Sequence, residues 1–343
     1  MTYPVLLDVD TGVDDALAIL FAVAHPEIEV LGITCVAGNT SLENVVANTL
    51  QVLDVAGAPS IPVAGGALRP LIEPSRPSHV HGSDGLGELS GEPEFAHPHS
   101  TRTADPRPAV DLIRDVLLAA PEPVTIVALA PQTNLALLLR QHPELVPRIE
   151  RILFMGGSAS VGNATPVAEF NVWHDPEATA IVIDSGVPTF MYGLDVFNQV
   201  TIDRADADAL VASSAASARL AGRLLHFPMG DDPDAPSDTS PDASATPSAP
   251  YTGHIGDAGA LCALVDPAAL RIERRPVRVE LAGFARGQTI VDRRQRVGED
   301  AIHAPAASPG AGALPRPTLV DVALDVDRAR YARLFLDTIA LLP

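Results

Sequence analysis

The sequence predicts an α/β protein, with a mostly parallel, Rossmann-like central sheet flanked by helices in a single large domain. Three observations predict it. Short continuous apolar runs rich in Val, Ile and Leu recur along the chain, the pattern of strands buried on both faces. A stretch of helical spacing follows most of them. The polar residues of chemical interest stand where the apolar runs end, the edge at which sheets of this kind bind ligands.

Residues 5–9 read as a buried strand and 14–24 as the helix after it. Residues 30–36 read as the second strand, and 41–56 as a helix opened by Ser41 as N-cap. The pattern returns at 124–130 and 133–140, then at 149–155, 176–185 and 189–194. Residues 320–325 read as a strand and 328–342 as a closing amphipathic helix. No composition shift marks a boundary, so one domain is expected over 1–343. Within it, 229–250 alternates Asp, Pro, Ser, Ala and Thr without apolar periodicity and reads as a low-complexity, mobile insertion. Residues 303–317 read as a surface loop.

The chain has 343 residues and a formal charge of −20, which excludes nucleic acid as the main partner, because phosphate contacts need clustered cations. Its 23 basic residues are all arginine. The absence of lysine removes Schiff-base chemistry, a Walker-type phosphate loop and a lysine base together. Cys35 and Cys262 sit in apolar surroundings and read as small core residues, which suits a reducing compartment. Residues 1–30 lack a secretory pattern, and no apolar run reaches the roughly 18 residues of a membrane span. A cytoplasmic protein with no membrane partner is expected.

The run Asp8-Val9-Asp10-Thr11-Gly12-Val13-Asp14-Asp15 puts four carboxylates at the end of the first strand. Like charges this close persist when a hard cation or a polyol compensates them. Other polar islands lie in Gly-rich turns: Asn39, the loop His79–Gly87 with His81, and the stretch from Asn163 to Asn171. Asn163, Glu169 and Asn171 supply amide and carboxylate groups suited to sugar hydroxyls, while the aspartates suit calcium, which takes six to eight oxygens.

Residues 8–19, Pro131-Gln132-Thr133-Asn134, Met155-Gly156-Gly157, 166–171 and Asp175-Pro176-Glu177-Ala178 together resemble the inosine-uridine preferring nucleoside hydrolase family. Asp257-Ala258, 286–292 and 322–327 extend the resemblance over nearly the whole chain; only 229–250 and 303–317 look foreign to it. The resemblance implies a calcium-dependent enzyme that hydrolyses the N-glycosidic bond of ribonucleosides to ribose and free base, in purine or pyrimidine salvage. It implies that Asp10, Asp15, the Leu129 carbonyl and Asp257 hold calcium, and that Asp10 is the general base, with Asn39 positioning the water or the 2′-hydroxyl. Asp14 and Asn171 would grip ribose hydroxyls, Met155, Asn163 and Glu169 would surround the sugar, and His81 would touch substrate. Trp173 is read as packing. A small-molecule ribonucleoside is the expected partner, and a homo-oligomer, dimer or tetramer, the expected assembly.

The chain departs from the family pattern at one place. Members that cleave both purine and pyrimidine nucleosides commonly carry His immediately before the late calcium aspartate. Here that position is Gly256, and His254 lies two residues upstream. This leaves a second reading, a noncatalytic calcium-dependent ribose- or nucleoside-binding protein. The Asp8-x-Asp10-Thr11 run also resembles the first motif of haloacid-dehalogenase-type phosphatases, but neither Asp14-Asp15 nor 163–171 has a role in that reading.

Overall fold

A computed structural model describes residues 2–78, 80–90, 92, 94–95, 102–227, 252–294 and 318–343. His79 and the expected insertion and surface loop, 229–250 and 303–317, lie outside the described residues. In chain order the elements are β1 (Tyr3–Val9), α1 (Val13–Ala24), β2 (Ile28–Cys35), α2 (Leu42–Val55), β3 (Val63–Gly65), α3 (Ala109–Ala119), β4 (Val124–Ala128) and α4 (Thr133–Gln141). Next come β5 (Ile149–Met155), α5 (Phe170–His174), α6 (Pro176–Ile183), β6 (Thr189–Tyr192), α7 (Leu194–Phe197), β7 (Thr201–Asp203), α8 (Arg204–Val211) and α9 (Ala216–His226). The chain closes with β8 (Thr252–His254), α10 (Ala258–Val265), β9 (Leu270–Val279), β10 (Thr289–Val291), β11 (Thr318–Val326) and α11 (Arg328–Ile339).

The main sheet runs β10-β9-β11-β6-β5-β4-β1-β2-β3. Pairings from β3 across to β11 are all parallel, and β9 alone runs against its neighbours. Strands β1 and β4 are adjacent where the order reverses, so the crevice above their C-terminal ends is the place where a ligand fits between diverging loops. Beside this sheet, β7 and β8 form a separate antiparallel pair, with Thr201 opposite His254.

Both faces of β1 are covered, which explains its apolar run from Pro4 to Leu7. Val5, Leu7 and Val9 pack with Leu17 of α1, Leu261 of α10 and Phe335 of α11. Leu6 points to the other face, among Ile113 of α3, Leu135 of α4 and Val182 of α6.

One of the four acidic residues of the opening run is structural. Asp8 lies inside β1, opposite Thr34 of β2, and its Oδ1 accepts from Thr34 Oγ1 (2.6 Å) and Asn134 Nδ2 (2.8 Å). Asn134 also donates to the Cys35 carbonyl (3.0 Å), tying β1, β2 and the start of α4 together. Asp175 does the same further along. It caps α6 through Ala178 N (3.0 Å) and accepts from Thr133 Oγ1 (2.7 Å) and Leu71 N (2.9 Å). Arg286 pairs through both guanidinium nitrogens with Glu177 (2.6 and 2.8 Å), pinning the β9–β10 turn to α6.

Candidate active site

Loops from four parallel strands meet over the β1/β4 crevice. Asp10 follows β1 directly and is fully buried. Its Oδ2 accepts from the Asn39 backbone N–H at 2.7 Å, which fixes the carboxylate, while Oδ1 is buried with no hydrogen-bond partner. Gly38 makes that approach feasible: a Cβ there would lie 2.0 Å from Asp10 Oδ2. Asp15 turns back from the first turn of α1 and accepts from Gly12 N (3.0 Å), Asp10 N (3.3 Å) and Asn39 Nδ2 (3.3 Å). A carboxylate at a helix N-terminus is well placed to satisfy such N–H groups.

Asp14, Asp15 and Asp257 each offer a carboxylate oxygen within 4.8 Å of the other two, and all three are buried. Asp257 arrives from the N-terminus of α10, and Asp14 and Asp257 each keep a buried oxygen without a partner. Burial first, and the neighbouring Asp15 charge second, hold the Asp10 pKa well above the ordinary carboxylate range. Burial and then Asp14 push Asp15 up to about 8. Asp257 is raised by burial and by the charges of Asp14 and Asp15. Oxygen donors so crowded and desolvated, several of them unpartnered, fit a hard cation, which alone relieves the repulsion without protonation. Calcium and magnesium share that chemistry.

The remaining walls carry the polar islands. Asn171 Nδ2 donates to the carbonyls of Leu129 (2.9 Å) and Met155 (3.2 Å) and touches Met155 Sδ at 3.4 Å, so the ends of β4 and β5 are bridged by one amide. Glu169 caps α5 by accepting from Asn171 N (2.8 Å), Val172 N (3.1 Å) and Gly157 N (2.9 Å); burial nevertheless raises it to about 7. Asn163 is exposed and its Oδ1 accepts from Ala164 N (2.7 Å) and Phe170 N (2.9 Å). His81 is buried, its Nδ1 accepting from Val13 N (3.3 Å) and standing 3.8 Å from Asp14 Oδ1.

These groups open onto a cavity of about 560 Å3 whose lining includes Asp14, Asn39, His81, Leu129, Met155, Asn163, Glu169, Asn171 and Asp257. Asp10 and Asp15 lie beneath this lining. The lining also includes Pro77, Ser78, Phe197 and Asn198, which the sequence reading did not single out, and Phe170 from within the stretch 163–171. Aromatic residues in apolar stretches read as core, and Asn198 stands in no motif. Trp173, expected to pack, does pack, with Arg76 4.8 Å from its ring centre and Phe170 tilted against it, yet it also faces the cavity. His254 lines the cavity too, which its sequence position left open.

Fold and site together define an enzyme of the Rossmann-like class, with a carboxylate cluster for a cation beneath a pocket sized for a small polyhydroxylated ligand. A family model described as inosine-uridine preferring nucleoside hydrolase matches residues 5–333, and the chain belongs to that family. It is a ribonucleoside hydrolase, which decides against both the phosphatase and the noncatalytic readings. Over 229 residues it is 45% identical to the pyrimidine-specific ribonucleoside hydrolase RihA of Citrobacter koseri, covering 66% of this chain and 71% of that protein. The RihA of Salmonella enteritidis is 45% identical over 231 residues, 67% of this chain and 72% of its own. Among solved structures, the plant nucleoside hydrolase PpNRh1 superposes with a TM-score of 0.82 at 29% identity over 99% of both chains. The purine-preferring ribonucleoside hydrolase of Gardnerella vaginalis superposes with a TM-score of 0.79 at 29% identity over 98% of both.

Proposed function

We propose that this chain hydrolyses the N-glycosidic bond of ribonucleosides with calcium as its cation and Asp10 as general base. The observation that carries the reading is the buried cluster of Asp14, Asp15 and Asp257, whose carboxylate oxygens lie within 4.8 Å of one another, with Asp14 and Asp257 lining the cavity and Asp10 Oδ1 buried and unpartnered. Asp10, Asp15, the Leu129 carbonyl and Asp257 would hold the ion, with Asp14 close enough to share its surroundings. Bound there, calcium would acidify and orient a water and receive ribose hydroxyls.

The residues themselves supply the rest. Asp10 presents Oδ1 to the water while Asn39 N holds Oδ2, and its raised proton affinity suits a base that must accept a proton as attack proceeds. Asn39 Nδ2 donates to Asp15, and Asn39 would position the water or the 2′-hydroxyl. Asp14 and the free Oδ1 of Asn171 would take the 2′- and 3′-hydroxyls, and Asn163, Glu169 and Met155 would enclose the 5′ side. His81, tethered by Val13 N, would face the substrate across Asp14. As the glycosidic bond lengthens the ribose becomes cation-like, and an acidic pocket stabilises that state more than the neutral ground state.

Homo-oligomeric assembly and a cytoplasmic role in nucleoside salvage belong to the same reading. Among the described residues no helix is long and apolar enough to cross a membrane, and both cysteines are buried and unpaired. The test is ribose release from inosine, adenosine, guanosine, uridine and cytidine, with calcium, with magnesium and with a chelator. Release that calcium restores after chelation and that Asp10→Ala abolishes supports the reading; release indifferent to the chelator refutes it.

A further inference from the structure

We infer that Asn48, which lies outside the cavity lining, is a positioning residue for His81: it joins the turn that follows Asp10 to the loop that carries His81, and so sets where the imidazole stands. The inference rests on the proposed reading, in which His81 touches substrate, and adds a residue which that reading does not use. Asn48 is 3% exposed and sits near the middle of α2. Its Nδ2 donates to the Thr11 carbonyl (3.2 Å) and to the Asp84 carbonyl (3.0 Å). The amide carries two hydrogens, so both are spent, one on each segment.

Residues 81–90 hold their own shape. Gly87 N donates to the His81 carbonyl (2.9 Å), and the Asp84 carboxylate accepts from Leu86 N (2.8 Å), Glu88 N (3.0 Å) and Ser90 N (2.9 Å). A loop closed on itself in this way moves as a unit, and the place of His81 depends on how that unit is fastened. Leu86 and Leu89 are buried in the core, but apolar contact is non-directional and leaves orientation to hydrogen bonds. Among the described residues, two hydrogen bonds fasten the loop to the elements beneath it: Val13 N to His81 Nδ1 (3.3 Å), and Asn48 Nδ2 to the Asp84 carbonyl. One bond is a pivot, and the second fixes the orientation. With Nδ1 accepting, the neutral ring keeps its hydrogen on Nε2 as the donor for a ligand.

The other end of the clamp is equally well defined. Thr49 Oγ1 meets Thr11 Oγ1 at 2.6 Å, so α2 grips Thr11 by carbonyl and hydroxyl together. Gly12, the next residue, is wedged between two site side chains: a Cβ there would lie 2.8 Å from His81 Nδ1 and 2.9 Å from Asn39 Nδ2. From the loop side, a Cβ on Gly85 would lie 2.7 Å from Thr40 Cγ2 and 3.3 Å from Asn48 Nδ2. The carboxylates do not depend on Asn48, because Asn39 N holds Asp10 and Gly12 N holds Asp15.

The test is a double-mutant cycle on ribose release. Asn48→Ala should lower kcat/KM by about tenfold, mostly through KM, and by less than about twofold when His81 is already Ala. Asn48→Ser, which keeps one donor, should show the same pattern at smaller amplitude and serves if Asn48→Ala does not fold. Thr49→Val is the structural control: it loosens Thr11 without touching the loop, and its effect should be the same with or without His81. Calcium affinity of Asn48→Ala, read by calorimetry, should stay within about twofold of the parent. Equal losses in the two backgrounds, no loss in either, or a fall in calcium affinity matching the fall in kcat/KM overturns the assignment while leaving the reaction standing. No ribose release by the unmodified chain from any nucleoside overturns the reaction itself and the assignment with it.

Discussion

Gly256 and Asp14 are in van der Waals contact across the site: the backbone of Gly256 is left-handed, and a Cβ there would lie 2.4 Å from Asp14 Cβ and 2.9 Å from its Oδ2. The turn that delivers Asp257 is thus packed against the first turn of α1. Gly256→Ala would strain the backbone and displace Asp14 together, costing about 1–3 kcal/mol of stability. A lower melting temperature and a raised KM are expected, and a variant that melts and binds like the parent would refute this packing role.

Asp10→Asn keeps the shape and an oxygen for Asn39 N but removes the proposed base. The turnover number should fall by about 10²- to 10⁴-fold. The melting temperature without metal should hold or rise, because a buried charge crowded by Asp15 disappears. Activity assay and thermal melt on one preparation separate the two effects.

Stripping the proposed cation should destabilise the protein, since the folded state alone gathers these oxygens. Calcium at about 100 times its Kd should return about 2.7 kcal/mol. Asp257→Asn should shrink that gain. Calorimetric titration measures it, and equal binding by the variant would remove Asp257 from the ligand set.

The metal-free protein should also lose stability as pH rises. Asp15 is pushed up to about 8 and Glu169 to about 7, in both cases first by burial. Each therefore binds more protons folded than unfolded above its ordinary pKa, so the slope of unfolding free energy with pH is negative there. The contribution is complete below about pH 4 and is lost as pH passes the folded values. Urea melts with a chelator from pH 5 to 9 should show the decline, and calcium should flatten it; stability that rises with pH in the chelator would contradict the buried cluster.

Asn171→Ala would leave the Leu129 and Met155 carbonyls without their shared donor. A loss of about 1–3 kcal/mol is expected. Weaker calcium binding should accompany it, because the Leu129 carbonyl is no longer oriented. Unchanged calcium affinity in this variant would remove Leu129 from the ion's surroundings.

The sequence carried the parallel core because β1, β4 and the C-terminal half of β5 are buried on both faces and are largely apolar; β5 spans the expected 149–155. The acidic run was legible because charge among apolar neighbours is conspicuous. What it does was less so. Asp8, Thr133, Asn134 and Asp175 look like site residues by position, yet their hydrogen bonds join strands and helices. Strand β9 was illegible for another reason: it is half-exposed, rich in arginine and contains Pro276, signals that weigh against a strand. The wall of Phe197, Asn198 and His254 depends on the pairing of β7 with β8, whose partners are about fifty residues apart, and no local pattern announces such a pairing.

That wall stands on its own small ladder, yet Val200, Ile202 and Ile255 root it in the same core as Val5, Leu7 and Val9 of β1. The cavity end that carries Asp14 and Asp257 and the wall that carries His254 therefore share one foundation. One scaffold can then be shared by enzymes of different appetite, as in a family where pyrimidine-specific and purine-preferring members both occur.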